Sequence, residues 1–303
     1  IAIVGSGVLG TALGVILHRH GAIIEAVTGR DAGRVATAAA RIGCRPAQGV
    51  VDAVRTASWV LIAVPDDGIA QVAEVIATAW KDHLPTGAAV IHVCGTLGTH
   101  ALHATAAVGA ATGVCHPIQS LMNLEAALEW LPRSCFGISG QGLGLQAARQ
   151  IATHVSGTFV EVDDAHRPIY HAAACVASNY LTVLLEAAGG LLVEGAGLSF
   201  HEALQALGPL IDGTLENVRR WGTRAALTGP VARGDVGTVE RHLQAMTERQ
   251  VPERWFRTYR TLGEAALDVA EARGLDHTAA DQMRRALRAG DPDPQWPHLD
   301  EQG

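Results

Sequence analysis

The chain has no run of Lys or Arg, and its 23 basic side chains are outnumbered by 30 acidic ones, for a formal net charge of −7. Nucleic-acid binders carry a basic footprint, so that partner class is excluded. Charged residues are only 17% against 48% hydrophobic, the opposite of a disordered chain. No C-x-x-C pair occurs among Cys44, Cys94, Cys115, Cys135 and Cys175. That spacing argues against a zinc ribbon or dithiol motif, and for free thiols in a reducing cytoplasm. From Leu84 to Leu124 there is no Asp, Glu, Lys or Arg, yet Pro85, Gly87, His92, Gly95, Gly98 and Pro117 interrupt the stretch. A bilayer span needs about 20 predominantly apolar residues in a row, so these are expected to be buried strands and loops of a soluble protein. The chain opens on Ile1-Ala2-Ile3-Val4, with no signal-peptide pattern, and no internal repeat is visible. A cytoplasmic protein without membrane partners is expected.

At 303 residues the chain is about twice a usual domain length, and its pattern changes midway. Apolar runs at Ile1–Val4, Ile23–Val27, Trp59–Val64 and Ala88–Cys94 alternate with helical patterns at Leu9–His20, Ala32–Ile42 and Ile69–Trp80. Continuous apolar strands are covered on both faces, as in parallel sheets. Weaker strands are expected near Gly113–Cys115, Cys135–Ser139 and Thr158–Val162. Beyond Asp164 only helical patterns follow, at Arg167–Gly195, Phe200–Trp221, Val236–Thr247, Pro252–Arg273 and His277–Ala289. The expected architecture is α/β, a doubly wound, mostly parallel Rossmann sheet over residues 1–163, then an all-α domain over 164–290. The Pro-rich residues 291–303 are expected to form an extended tail.

Gly5-Ser6-Gly7-Val8-Leu9-Gly10 lies between the first strand and the first helix. This context gives the G-x-G-x-x-G pattern its meaning: a tight turn, close approach of a pyrophosphate, and helix-to-strand packing. The helix amides and dipole would face the phosphates. The second strand runs into Thr28-Gly29-Arg30, where NAD-binding folds usually carry an acidic residue. Arg30, with Arg34 one turn on, suits the 2′-phosphate of NADP(H), which is expected ahead of NAD(H). Val64-Pro65-Asp66-Asp67 ends the central strand; its backbone should line the cofactor, while Asp67 is expected to cap the next helix.

Fourteen histidines raise the question of metal, but no carboxylate or cysteine cluster accompanies them at ligand spacing, so none is expected. His92 and His116 close strands on the functional edge and suit either a polar pocket wall or structural hydrogen bonds. His171, Cys175 and Asn179 fall four apart, on one face of a regular α-helix. His171 or His116 can supply a proton near neutral pH, and Ser178 with Asn179 can orient a carbonyl or carboxylate. The bland alternative is that His171 and Asn179 are simply satisfied helix residues. Arg233, in Gly229-Pro230-Val231-Ala232-Arg233-Gly234-Asp235, suits a substrate carboxylate; equally, Arg233 and Asp235 pair with each other or cap the next helix.

Together with V-P-D-D, H-V-C-G at His92–Gly95, C-H-P-I-Q-S at Cys115–Ser120 and Y-H-A-A-A at Tyr170–Ala174, this pattern resembles bacterial two-domain oxidoreductases with a Rossmann-like domain and an uncharacterised helical C-terminal domain. That group is similar to ketopantoate reductases, pyrroline-5-carboxylate reductases and 6-phosphogluconate dehydrogenase-like proteins. The resemblance implies hydride transfer to or from a small 2-oxo or hydroxy acid, with an imine reductase or a non-catalytic NADPH sensor as alternatives. It also implies pairing through the helical half, a homodimer, unless the Ala-rich Ala172–Gly195 helix is an intramolecular core. The Lys and first Asn of the ketopantoate reductases are absent; His171 and Cys175 stand at those positions, and Asn179 matches the family's further Asn.

Overall fold

The computed structural model describes residues 1–289. The expected extended tail over 291–303 lies outside the described residues. Eight strands form one sheet: β1 (Ala2–Val4), β2 (Ala26–Thr28), β3 (Arg45–Pro46), β4 (Trp59–Ile62), β5 (Ala89–His92), β6 (Ala111–Pro117), β7 (Phe136–Gly140) and β8 (Phe159–Glu161). Their order is β3-β2-β1-β4-β5-β6-β7-β8, parallel throughout except between β6 and β7. The chain leaves β1 in one direction and resumes beside it with β4 in the other, so the crevice between β1 and β4 is the switch point at which such sheets hold ligands.

Seven helices belong to this sheet: α1 (Val8–Arg19), α2 (Ala32–Ile42), α3 (Val50–Val54), α4 (Ile69–Trp80), α5 (His103–Ala107), α6 (Leu124–Trp130) and α7 (Gly142–Val155). Successive strand residues alternate between the two faces. Ile3, Val27, Leu61 and Ile91 pack under α1, α2 and α7 on one side. Val4, Val60, Ile62 and Val90 pack under α3 and α4 on the other. Both cores are predominantly aliphatic, with Phe136 and Trp80 as buried aromatics, which explains the unbroken apolar strands.

After α8 (Arg167–Cys175) come α9 (Leu181–Ala196), α10 (Phe200–Ala226), α11 (Pro230–Arg233), α12 (Val236–Glu248), α13 (Glu253–Glu271) and α14 (His277–Arg288). The sheet, its helices and α8 form one compact unit, Ile1–Asn179, and the second unit begins at Tyr180. The second unit has its own small core of Val239, Leu243, Leu267, Met283 and Leu287, joining α12, α13 and α14.

Two sequence expectations need correction, and some elements were not foreseen. The helix expected over Arg167–Gly195 is interrupted by a π-turn at Val176–Tyr180, so His171, Cys175 and Asn179 do not share one regular α-helical face. The extra residue in that turn rotates everything after Cys175. Asp67 does not cap α4, which has no side-chain cap. The edge strand β3 and the helices α3, α6 and α7 were not legible as elements. In α7, Gly142 and Gly144 stand in the first turn and obscure the apolar stripe of Ala147, Ala148, Ile151 and Val155.

Candidate functional site

The strand register sets the functional edge. Val4 pairs with both Thr28 and Ile62, and Ile62 with His92, so these strands end at one level. The glycine loop leaves β1 there. Gly5 has φ +126°, and a Cβ on it would collide with the backbone of Ala63 after β4. Its amide donates to the Thr28 carbonyl at 2.8 Å, which ties the loop to β2. Gly7 is the N-cap of α1, no side chain caps that helix, and a Cβ at Gly7 would meet nothing within 4 Å. Gly10 packs against Gly5 and Ala63. An uncapped helix start with open space before it is a cradle for an anion.

Beside this cradle runs a groove of about 420 Å³ lined by Ser6, Gly7, Thr11, Arg34, Thr37 and Arg41. Arg34, Thr37 and Arg41 stand on one face of α2; Arg41 also pairs with Glu125 at 2.5 Å. Arg30 is exposed at the mouth of the turn before α2. Asp31 is turned to the backbone, where it accepts the Arg34 amide at 2.9 Å as the α2 cap. Thr28 is buried and its hydroxyl donates to the Ala47 carbonyl at 3.3 Å, so its polar atom serves the fold. Val8 and Leu9 begin α1. Val64 is half-buried, and Pro65 leads into a short 3-10 turn, Asp66–Gly68.

A second cluster forms where the loop after β5 meets β6 and α8. His92 is fully buried; its Nδ1 accepts the Cys94 amide at 3.2 Å, so Nε2–H donates to the Gly98 carbonyl at 3.0 Å. Burial pulls its pKa down to about 4. His92 is therefore a neutral strut for the loop from Cys94 to Gly98. Within that loop the amides of Thr96 and Leu97 each donate to Cys94 Sγ at 3.3 Å, and Thr96 Oγ1 reaches Asp66 at 3.4 Å. Burial raises the Cys94 thiol, which stays protonated at neutral pH.

Gly95 lies against two histidines. A Cβ there would collide with the ring of His171 and stand 2.9 Å from His116 Nε2. The rings of His116 and His171 meet edge-on, centroids 5.6 Å apart. His116 Nδ1 is 2.9 Å from the Tyr170 hydroxyl, and His171 Nδ1 is 3.7 Å from Cys175 Sγ. Burial, then the neighbouring His171 and Arg167, hold His116 near pKa 4, against a weaker opposing pull from Asp66. His116 is thus uncharged at neutral pH.

Arg167 anchors the floor of the cluster. It is fully buried, donates to Ser139 Oγ at 2.6 Å and to the Cys94 carbonyl at 3.1 Å, and lies over the Tyr170 ring at 5.5 Å. Asp164 accepts both the amide and the hydroxyl of Thr99, closing the other end of the loop. Sequence reasoning did not single out Arg167, Ser139 or Tyr170 as site residues. Tyr170 sat in a noted motif, but nothing local in Ser139 or Arg167 marks them.

The structure brings together His116, His171, Gly95 and Tyr170. Ser178 and Asn179 follow in the π-turn, with Asn179 exposed. Arg233 belongs to the second unit, exposed at the end of α11, while Asp235 caps α12 by accepting from Thr238 at 3.1 Å. Asp235 therefore takes the capping role. Among the described residues no group of three or more His, Cys, Asp or Glu side chains can hold a metal.

A glycine cradle at the switch point of a doubly wound sheet, followed by a helical unit, defines the class: a dinucleotide-binding type of α/β domain joined to an all-α partner. Residues 1–117 match the Rossmann-like domain profile, and residues 134–266 match a domain of unknown function, DUF2520. No curated protein sequence matches the chain. Among solved structures it is similar to TM1727 from Thermotoga maritima at 25% identity, covering 89% of this chain and 98% of that one, with a TM-score of 0.65. The pyrroline-5-carboxylate reductase of Coxiella burnetii is 16% identical, with coverage of 90% and 98% and a TM-score of 0.58. The imine reductase from Myxococcus stipitatus, solved with NADP+, is 14% identical, with coverage of 93% and 98% and a TM-score of 0.64. These likenesses establish the fold.

Proposed function

We propose that the chain is an NADP(H)-dependent oxidoreductase acting on a small 2-oxo or hydroxy acid, of the ketopantoate kind. The observation that carries this reading is the pairing, on one sheet edge, of an uncapped glycine cradle beside an arginine-lined groove with the His116–Gly95–His171 cluster. Gly5, Ser6, Gly7, Val8, Leu9 and Gly10 would hold the pyrophosphate. Arg30 and Arg34 would hold the 2′-phosphate, where a carboxylate would repel it. Val64, Pro65 and Asp66 would line the ribose. When bound, the nicotinamide supplies or accepts the hydride.

The chain's own groups then position the substrate and manage its proton. His116 offers a hydrogen bond beside Gly95, and His171 is the group placed to give or take the proton. Ser178 and Asn179 would orient the substrate. The second reading, reduction of an imine, is supported by the pyrroline-5-carboxylate and imine reductases that share the fold.

The reading includes a homodimer. The helical segment Asp164–Ala196 is long and apolar enough to cross a membrane by length and composition, and only 17% of its most apolar stretch is buried. Ile169, Val176 and Val183 are 70%, 58% and 58% exposed. Exposed apolar side chains gathered in one segment mark a contact surface, and the reading assigns that surface to a second copy of the chain.

The test is NADPH oxidation against small 2-oxo acids and cyclic imines. Turnover that His171→Ala abolishes while NADPH still binds supports the enzyme. Tight NADPH binding with no turnover on any substrate would replace it with a sensor.

A further inference from the structure

Tyr170 is the fourth residue of α8, two after Pro168, and its ring meets that of His116 edge-on, centroids 5.7 Å apart. Its hydroxyl lies 2.9 Å from His116 Nδ1 and 3.4 Å from the His116 carbonyl oxygen. Gly137, opposite His116 in the β6–β7 ladder, has no side chain where a Cβ would collide with that hydroxyl. The pair is therefore built into the sheet as well as into α8.

A phenol has one proton to donate, and the shorter contact gives it to Nδ1. Burial raises the Tyr170 hydroxyl to about 12, so the phenol keeps that proton at neutral pH. An uncharged imidazole that accepts at Nδ1 carries its own proton on Nε2, the nitrogen that faces Gly95.

We infer that Tyr170 is a positioning residue that fixes His116 as the neutral Nε2–H tautomer, so that the site offers an uncharged donor suited to a carbonyl oxygen rather than to an iminium cation. This rests on the proposed oxidoreductase function and names the substrate class of its site.

The surrounding charges point the same way. From α8, the buried Arg167 guanidinium lies over the Tyr170 ring and the His171 ring flanks His116. From β5, His92 is neutral and Cys94 is a protonated thiol. Asp66, tied to Thr96, is the carboxylate that opposes them, and Asp164 is occupied by Thr99. A second positive charge beside Arg167 is disfavoured, whereas charge developing on a carbonyl oxygen is stabilised by the N–H and the guanidinium together.

The balance is that of a carbonyl reduction. The carbonyl carbon gains a hydride from a reduced nicotinamide dinucleotide, which is left oxidised. The C–O π pair becomes a lone pair on oxygen, and the oxygen takes one proton delivered through His171, which regains it from water, while His116 retains its own.

The test uses the full chain labelled with 15N-histidine, with His116→Asn for assignment, and initial rates with NADPH on matched 2-oxo acids and cyclic imines. At pH 7 the wild-type His116 should show a protonated Nε2 and a bare Nδ1. Tyr170→Phe should lose that single tautomer and lower kcat on the 2-oxo acid about tenfold, with the KM for NADPH within twofold. The 2-oxo acid should exceed its matched imine in kcat/KM by about a hundredfold. A charged or Nδ1-protonated His116 in the wild type, a Tyr170→Phe enzyme indistinguishable from it, or preference for the imine would overturn the inference. Absence of NADPH binding, read by nucleotide fluorescence, would overturn the oxidoreductase function itself and the substrate class with it; the tautomer signal separates the two failures.

Discussion

Gly7 and Gly5 stand two residues apart in one loop and face opposite surroundings. A side chain at Gly5 would strike the backbone of Ala63, whereas one at Gly7 would enter open space. The first glycine is required by the fold and the second is not, so the two positions separate stability from binding.

Gly7→Val should leave the melting temperature within a few degrees of wild type and abolish dinucleotide binding. Gly5→Val should lower stability by about 2 kcal/mol or more, because φ +126° and the Ala63 carbonyl both oppose it. Thermal melts and fluorescence titration read the two effects. Unchanged binding in Gly7→Val would remove the cradle assignment.

Arg34 lines the groove and Arg30 is exposed in the turn before α2, and both are proposed to set the NADP(H) preference. A charge-assisted hydrogen bond is worth about 1.5–3 kcal/mol, or roughly 10- to 150-fold in affinity. Arg34→Glu and Arg30→Glu should each weaken NADPH by about that factor and leave NADH within about threefold. Equal losses for both nucleotides would rule out the phosphate clamp.

Acid should destabilise the sheet unit through His92. Its pKa falls from 6.5 in the unfolded chain to about 4 in the fold. Above 6.5 both states are neutral and the stability is complete. Between 6.5 and 4 the unfolded chain binds the proton that the folded one refuses, so stability is lost as pH falls, by about 3 kcal/mol over that window. Urea melts at several pH values should show this slope, to which His116 adds a similar one over the same window, and His92→Gln should reduce the total by about half. An unchanged slope in the variant would place the acid sensitivity elsewhere.

Much of this was legible beforehand, and where it was not the reason is physical. The spans of α2 and α4 could be read to the residue, since each has a strong apolar stripe. Gly5, Gly7 and Gly10 were readable because the chemistry needs those residues at fixed spacing beside a strand. The π-turn at Val176–Tyr180 was not, since a run of helix-compatible residues does not reveal where an extra residue is accommodated. Ser139 and Arg167 were hidden for another reason: 28 residues separate them, and only the antiparallel return of β7 brings them to 2.6 Å. Thr28 had the right position after β2, but its hydroxyl turned to the nearby Ala47 carbonyl.

The exposed apolar side chains Ile169, Val176 and Val183 should be covered in solution by a second copy. Light scattering should report twice the chain mass of 31.6 kDa, and Val183→Lys should shift the protein toward the monomer. A monomeric wild type that floats with lipid vesicles would instead assign these side chains to a bilayer.

The most direct measurement is isothermal calorimetry of the purified full chain with NADPH and, separately, NADH. Binding of one NADPH per chain with micromolar affinity, at least tenfold tighter than NADH, is the expected result. A folded protein that gives no heat with either nucleotide would contradict the account at its root.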